Sequence, residues 1–180
     1  MKHCIVYAFI MMVMAGCDSS KGSAPASEPP VPKVQTEFST SDKSILTNGN
    51  IEVASNRLLT ASGDSWGAIK KTSLESISKS PYSNMGKLHK VSGEVYKVEE
   101  LPPSMGLKGQ WSEALMLAGN QNSPLGASSI DCVFHGSPDA IKSGRVATCT
   151  GYFIGTFDSA NAMGGSVEAL VFVGYAKKGR

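Results

Sequence analysis

Leu88-His89-Lys90-Val91-Ser92-Gly93-Glu94-Val95-Tyr96-Lys97-Val98 changes sides at every residue, with Val91 and Val95 on one side and Glu94 and Tyr96 on the other. Successive side chains of an extended chain point to opposite faces, so this stretch predicts a half-buried strand. Gly93 in its middle predicts a bend or bulge. The same period continues downstream. Trp111 to Ala118 reads as a second strand, and Ile130 to Phe134 as a third on which Ile130, Cys132 and Phe134 share a face. Ser137-Pro138-Asp139-Ala140-Ile141-Lys142 predicts a short helical turn, stopped by Ser143-Gly144. Arg145 to Ile154 and Val167 to Tyr175 complete the set, the last holding the apolar run Ala169-Leu170-Val171-Phe172-Val173.

Three strands, a short helix and two strands, with a glycine-bent first strand, are in the order of a five-stranded OB-fold barrel. A five-stranded sandwich fits the pattern nearly as well. The fold class expected is thus mainly β, with a helix before the strands and a disordered tether before the helix. Ile51 to Thr60 can begin the ordered region. Asp64 or Ser65 can cap a helix that puts Trp66, Ile69, Leu74 and Ile77 roughly on one face and stops at Pro81. Gly67 and many serines make it a poor helix alone, so it needs packing against the strands. The OB-fold domain with this helix is expected over residues 51–180.

The 180 residues carry a net charge of +2, with 41% apolar and 18% charged residues. That composition suits one modest globular domain plus unstructured sequence and gives little field for steering onto a polyanion. Lys2 and His3 precede an apolar core, Ile5 to Met14, and Ala15-Gly16-Cys17 follow. A basic start, a short apolar stretch and small residues are the parts of a signal peptide, and the stretch is too short for a membrane span of roughly 20 residues. Met14-Ala15-Gly16-Cys17 resembles the bacterial lipoprotein lipobox. The resemblance implies cleavage after residue 16, acyl chains such as palmitate on Cys17, and a membrane-anchored envelope protein with its domain in the periplasm. Asp18 resembles the retention signal that favours the inner membrane over the outer. From residue 17 to 50 the chain is polar, with Pro25, Pro29, Pro30 and Pro32 closely spaced, and reads as a flexible linker.

Cys4 leaves with the signal peptide and Cys17 is acylated, so Cys132 and Cys149 remain as an even pair in an oxidising compartment. A disulfide between them is expected, worth about 3 kcal/mol on the chain-entropy estimate.

Tyr82, Gly86-Lys87, Val91, Gly93 and Val95, then Asp131-Cys132-Val133-Phe134, Ile141-Lys142-Ser143-Gly144 and Cys149-Thr150-Gly151, resemble the tRNA-anticodon-like OB-fold family of bacterial envelope proteins over residues 58–175. Members are often lipoproteins or small exported proteins, and most have no assigned activity. The family name records a likeness of shape to anticodon-binding domains and implies no tRNA binding. The sequence departs from the family in a Pro-rich connection after the first strand and a Gly/Asn-rich insertion before the fifth.

No catalytic constellation is expected. Asp131, Cys132 and His135 are near in sequence, but on a strand Asp131 and His135 project away from Cys132, so the thiol lacks its base. The adjacent Glu99 and Glu100 point to opposite faces and make a poor acid–base pair. Neither HExxH nor a P-loop is present, so no metal and no cofactor are expected. His89 reads as a solvated strand-edge residue, and Tyr96, Trp111, Tyr152 and Phe153 as residues that fill or cover the barrel. Nucleic-acid binding is disfavoured, because residues 87–180 carry nine Lys or Arg against eight Asp or Glu.

What is left is a binding module. The loops between strands one and two and between strands four and five flank the usual OB-fold binding face. The first, Glu99 to Gln110, carries Leu101, Met105 and Leu107; the second, Gly155 to Ser166, carries Phe157 and Met163. Apolar, Met-bearing loops suit a protein partner in the envelope better than a phosphate. The function expected is a lipid-anchored, non-enzymatic binding domain in a membrane-associated assembly. A periplasmic domain that binds or hydrolyses a small ligand is the alternative, and an oligonucleotide-binding domain the third reading.

Overall fold

A computed structural model describes residues 35–61, 66, 68–119, 128–160 and 166–179. The signal peptide, Cys17, the Pro-rich stretch up to Val34 and Met163 lie outside the described residues. The described strands are β1 (Leu88–Glu100), β2 (Trp111–Ala118), β3 (Ser128–His135), β4 (Val146–Ala160) and β5 (Ser166–Lys178). They form a mainly β structure in which one five-stranded sheet closes into a ring in the order β1-β2-β3-β5-β4. Every pairing is antiparallel except β3 with β5. A closed ring excludes the two-layer sandwich.

Closure depends on β1, whose first half pairs with β4 from Leu88 to Glu94 and whose second half pairs with β2 from Glu94 to Glu100. The chain bends where it changes partner. A side chain at Gly93 would come within 2.8 Å of the Leu117 carbonyl oxygen, so this turning point requires glycine. Inside the ring, Val91, Val95, Met116, Ile130, Phe153 and Phe172 are buried together, and Ile77, Met85 and Ile141 belong to the same core. Cys132 and Cys149 also point inward and are joined by a disulfide over a separation of 17 residues.

The sheet is also apolar over part of its outer face. Val133, Val171, Val173 and Ile154 point out of the ring, yet they are buried with Ala54 and Leu58 of α1 (Asn50–Thr60) and with Trp66. Burial on both faces explains why Ala169 to Val173 is an unbroken apolar run.

Three expectations need correction. The helix was expected to begin at Asp64 or Ser65 and run to Pro81. The main helix is instead α1, earlier in the chain, and among the described residues of the expected span the longest helix is α2 (Leu74–Lys79). Residues around Thr72 are drawn out against the first half of β1, where the Thr72 amide donates to the Lys90 carbonyl at 2.9 Å. Pro81 does not end the helical region but opens the one-turn α3 (Pro81–Asn84), where its missing N–H costs nothing.

The linker expected through residue 50 gives way to ordered structure by residue 35. Ser44 pairs with Thr156, and the Ile45 amide donates to the Thr156 carbonyl at 3.1 Å. Asn48 and Asn50 are buried, and their side-chain amides donate to the Ile154 carbonyl at 2.9 and 3.2 Å. The polar residues here serve main-chain groups on β4 beyond the reach of β1, which protects an otherwise open edge. Gly155, at φ 135, lets this segment pass, because a side chain there would collide with the Lys43 carbonyl.

Finally, β4 does not stop at Ile154. It pairs with β5 as far as Ala160 with Ser166, so Phe157 stands on a strand opposite Ala169 rather than in a loop.

Candidate binding surface

The connection from β1 to β2 is the one expected loop that stands out as a loop among the described residues. Its base is closed by the Leu101 amide donating to the Trp111 carbonyl at 2.9 Å. Its middle is held by the Trp111 indole N–H, which donates to the Lys108 carbonyl at 2.9 Å. Pro103 to Met105 forms a single 3₁₀ turn, and Gly106 follows in the left-handed region at φ 72. Gly136 ties the far end to β3 by donating to the Gln110 carbonyl at 2.9 Å.

This construction separates the three apolar residues of the loop. Leu101 and Leu107 are half-buried against the outer apolar cluster that contains Trp111. Met105 stays outside, 42% exposed. The leucines therefore shape the loop while the methionine is presented by it. Phe157 borders the same outer cluster from β4 and is half-buried. The hollow between Leu101, Pro103, Leu107 and Trp111 measures about 40 Å³. That admits a few waters, far short of the roughly 300 Å³ or more of a small-molecule site.

The outer face beside this loop is acidic. Glu99 lies opposite Glu113 in the β1–β2 register, and Asp131 follows on β3 opposite Leu115. Lys97 is engaged with Glu99 at 2.6 Å. Asp131 is 4% exposed, and its Oδ1 has no hydrogen-bond partner. Burial, followed by the nearness of the Glu113 carboxyl and the charge of Glu99, holds its carboxyl well above the usual carboxylate range. Alternation along β3 puts Asp131 on the outer face, as observed; its burial is signalled in the sequence only by the apolar Val133 two residues on, while Val171 comes beside it through the β3–β5 register.

The other candidates fall into place around the ring. Cys132 is inside and bonded to Cys149, while His135 is outside, edge-on to Trp111 at 5.3 Å. Trp111 and Phe153 are buried, Tyr152 is half-buried, and Tyr96 is 51% exposed. Tyr96 joins the exposed Leu117 and Val146, which flank Glu94 in the register. His89 is not the solvated residue expected. It points into the ring, edge-on to Phe153 and Phe172 at 6.5 and 6.3 Å, with Nδ1 at 3.3 Å from the Thr72 hydroxyl. The register supplies the reason: His89 lies opposite Gly151, which lies opposite Gly174, and two positions without side chains leave room for one imidazole. Desolvation, with a smaller contribution from Lys87, lowers its pKa against a weaker opposing hydrogen bond. No set of His, Cys, Asp and Glu among the described residues could hold a metal ion.

No family model matches the chain, and no curated protein does. Among solved structures it is similar to a lipoprotein of Klebsiella pneumoniae subsp. pneumoniae to which nucleic-acid binding is ascribed, at 19% identity and a TM-score of 0.42 over 67% of this chain and all of that one. It is also similar to the aspartyl tRNA synthetase of Entamoeba histolytica, at 11% identity and a TM-score of 0.37 over 66% of this chain and 23% of that one. Neither likeness assigns an activity to this chain.

Proposed function

We propose that this chain is a lipid-anchored bacterial envelope protein whose closed ring is an OB-fold barrel, acting without catalysis as a binding module for a protein partner. The strand order, with β3 and β5 as the one parallel pair, is consistent with that barrel. The lipobox-like Met14-Ala15-Gly16-Cys17 supports the anchor and the envelope location.

The observation that carries the binding reading is the division of labour in the β1–β2 loop. Leu101, Leu107 and the Trp111 indole fix its shape, and Met105 is held out on a short turn. A preformed loop with an exposed thioether loses little freedom on docking and adapts to an apolar counterpart. Glu99 and Glu113 on the adjoining face speak against a phosphate backbone, which needs positive charge there.

Photo-crosslinking in intact cells tests this, with a probe at Met105 and a control probe at exposed Lys177. One envelope protein captured at Met105 and absent at Lys177 is the expected result. Equal capture at both positions, or none at Met105 in a folded chain, overturns it. Replacement of Cys17 by Ser should release the chain from the membrane fraction; an unchanged distribution removes the anchor from the proposal.

A further inference from the structure

The outer face of the ring changes sign along β1. Beside the second half of the strand it carries Glu99 and Glu113, opposite each other in the register. Where the first half meets β4 and the end of β5 it is basic. Lys90 lies opposite Thr150, and in the next outward row Ser92 lies opposite Thr148, which lies opposite Lys177. The Ser92 and Thr148 hydroxyls meet at 2.9 Å, while Ala147 and Cys149 on either side of Thr148 are buried in the ring, so this row faces outward. Lys71 is bridged to Lys90 from the other edge of β1, and exposed Arg145 immediately precedes β4. None of these four cations is in an ion pair among the described residues, where the pairs are Lys43–Glu168, Lys79–Glu75 and Lys97–Glu99. The same face ends in three exposed apolar side chains. Leu117 and Val146, 47% and 51% exposed, flank Glu94. Tyr96 sits at the bulge between Val95 and Lys97 and is 51% exposed; a bulge re-aims a side chain, here outward beside the two aliphatic ones.

We propose that this face is the side of the ring that lies on an anionic lipid surface, with Lys71, Lys90, Arg145 and Lys177 against the headgroups and Tyr96, Leu117 and Val146 sunk among them. The inference rests on the lipid-anchor reading above and adds an orientation to it. Charge selects the occupant: four cations surround a row whose own acidic residue is Glu94, and the cytoplasmic or periplasmic leaflet of a bilayer rich in anionic lipid offers the opposite sign. The apolar trio selects a bilayer over a nucleic-acid strand, because bases stack on rings and have no use for Leu117 and Val146, whereas a headgroup boundary takes aliphatic side chains and an amphipathic tyrosine together. The chain from Cys17 to Gln35 reaches at most about 65 Å, so an anchor at Cys17 keeps the ring near the bilayer without choosing the face it presents. The side chains choose it. Three of them are too few to hold the chain once acyl chains are lost, so release of Cys17→Ser from the membrane fraction is still expected. Met105 is outside the contact, since its loop begins about 20 Å along β1 from Glu94.

Photo-crosslinking of the purified full-length mature chain in vesicles of phosphatidylethanolamine and phosphatidylglycerol tests the orientation, with a photoreactive residue at Leu117 or, as control, at Met105. Phospholipid captured at Leu117 and absent at Met105 is the expected result. That capture should fall severalfold in vesicles of phosphatidylcholine alone, in high salt, and in the double variant Lys90→Glu, Lys177→Glu. Should the double variant not fold, the salt and lipid dependence of the parent chain still decides. Mass spectrometry of the amino-terminal peptide separates the two readings. Acyl chains present with no lipid captured at Leu117, or with equal capture at Met105, overturn the docked face and leave the anchor standing; acyl chains absent overturn the anchor and the docked face with it. Capture of a second copy of the chain at Leu117 assigns the face to self-association and overturns the proposal, as does lipid capture indifferent to salt and headgroup. Displacement of the captured lipid by a single-stranded oligonucleotide reassigns the face to nucleic acid and overturns it too.

Discussion

Cys132 on β3 is bonded to Cys149 on β4, although β5 lies between the two strands in the sheet. The bond therefore crosses the inside of the ring and ties strands that have no ladder in common. A ladder can fray from its end; a bond between non-neighbours resists opening of the whole ring.

Replacing both cysteines by Ala should lower the unfolding free energy by about 2–5 kcal/mol, the range for a native disulfide in a small exported domain. Urea denaturation of the parent chain with and without reductant, beside the double variant, measures it. Reduced parent and variant should share one midpoint below that of the oxidised chain. Three coincident midpoints would mean that the bond adds nothing.

His89 carries a pH prediction. Burial holds its imidazole neutral, with a folded pKa below the ordinary His value of about 6.5. The unfolded chain takes up the proton first, so the stability due to neutral His89 is complete above that value and lost as pH falls through the folded one. His89→Leu should therefore narrow the stability difference between pH 7.5 and 5. Denaturant midpoints at the two pH values test this, and an unchanged difference would remove His89 as the acid-sensitive group. The position also explains its neighbours. Gly174→Ala should destabilise by roughly 1–3 kcal/mol or more, because the added methyl collides with the Thr150 carbonyl in the sheet itself.

Much of this architecture is written in local alternation, and what was missed is non-local. Val91 and Val95, or Ile130, Cys132 and Phe134, declare an inward face within a few residues, and that periodicity located all five strands. His89 obeys the same alternation, yet its chemistry argued for solvent; only the register, which sets Gly151 and Gly174 opposite it, shows the space it fills. Asn48 and Asn50 read as linker because their polarity signals loop, whereas here it satisfies the Ile154 carbonyl. Phe157 was placed in a loop by the glycines around it, but Gly155 permits a bulge and the passage of Lys43 rather than ending the strand. In the β1–β2 loop, composition picks out Leu101, Met105 and Leu107 alike. Which of them stays exposed depends on the indole of Trp111.

The segment before α1 offers a direct test of order where a linker was expected. Asn48→Ala removes the bond to the Ile154 carbonyl and the acceptor for the Asn50 amide at 2.9 Å. It should cost about 1–3 kcal/mol, the range for leaving buried polar groups unpaired. Leu46→Ala nearby, at a residue 75% exposed, should change stability by no more than about 0.5 kcal/mol. Thermal or urea unfolding of the two variants separates a docked segment from a free one, and equal, negligible effects would point to a free one.

The loop's shape should depend on one donor. Trp111→Phe keeps an aromatic ring in the outer cluster but deletes the N–H that reaches the Lys108 carbonyl at 2.9 Å. The net loss in global stability should be modest, about 1 kcal/mol, as for a typical hydrogen bond. The local loss should be larger, because the middle of the loop has no other tie of this kind to β2 among the described residues. Trypsin cleavage after Lys108 should then accelerate severalfold under native conditions, and crosslinking through Met105 should fall with it. Faster cleavage with undiminished crosslinking would show that the proposed partner does not require a preformed loop. Unchanged cleavage would show that Leu101 and Leu107 hold the loop without the indole's help.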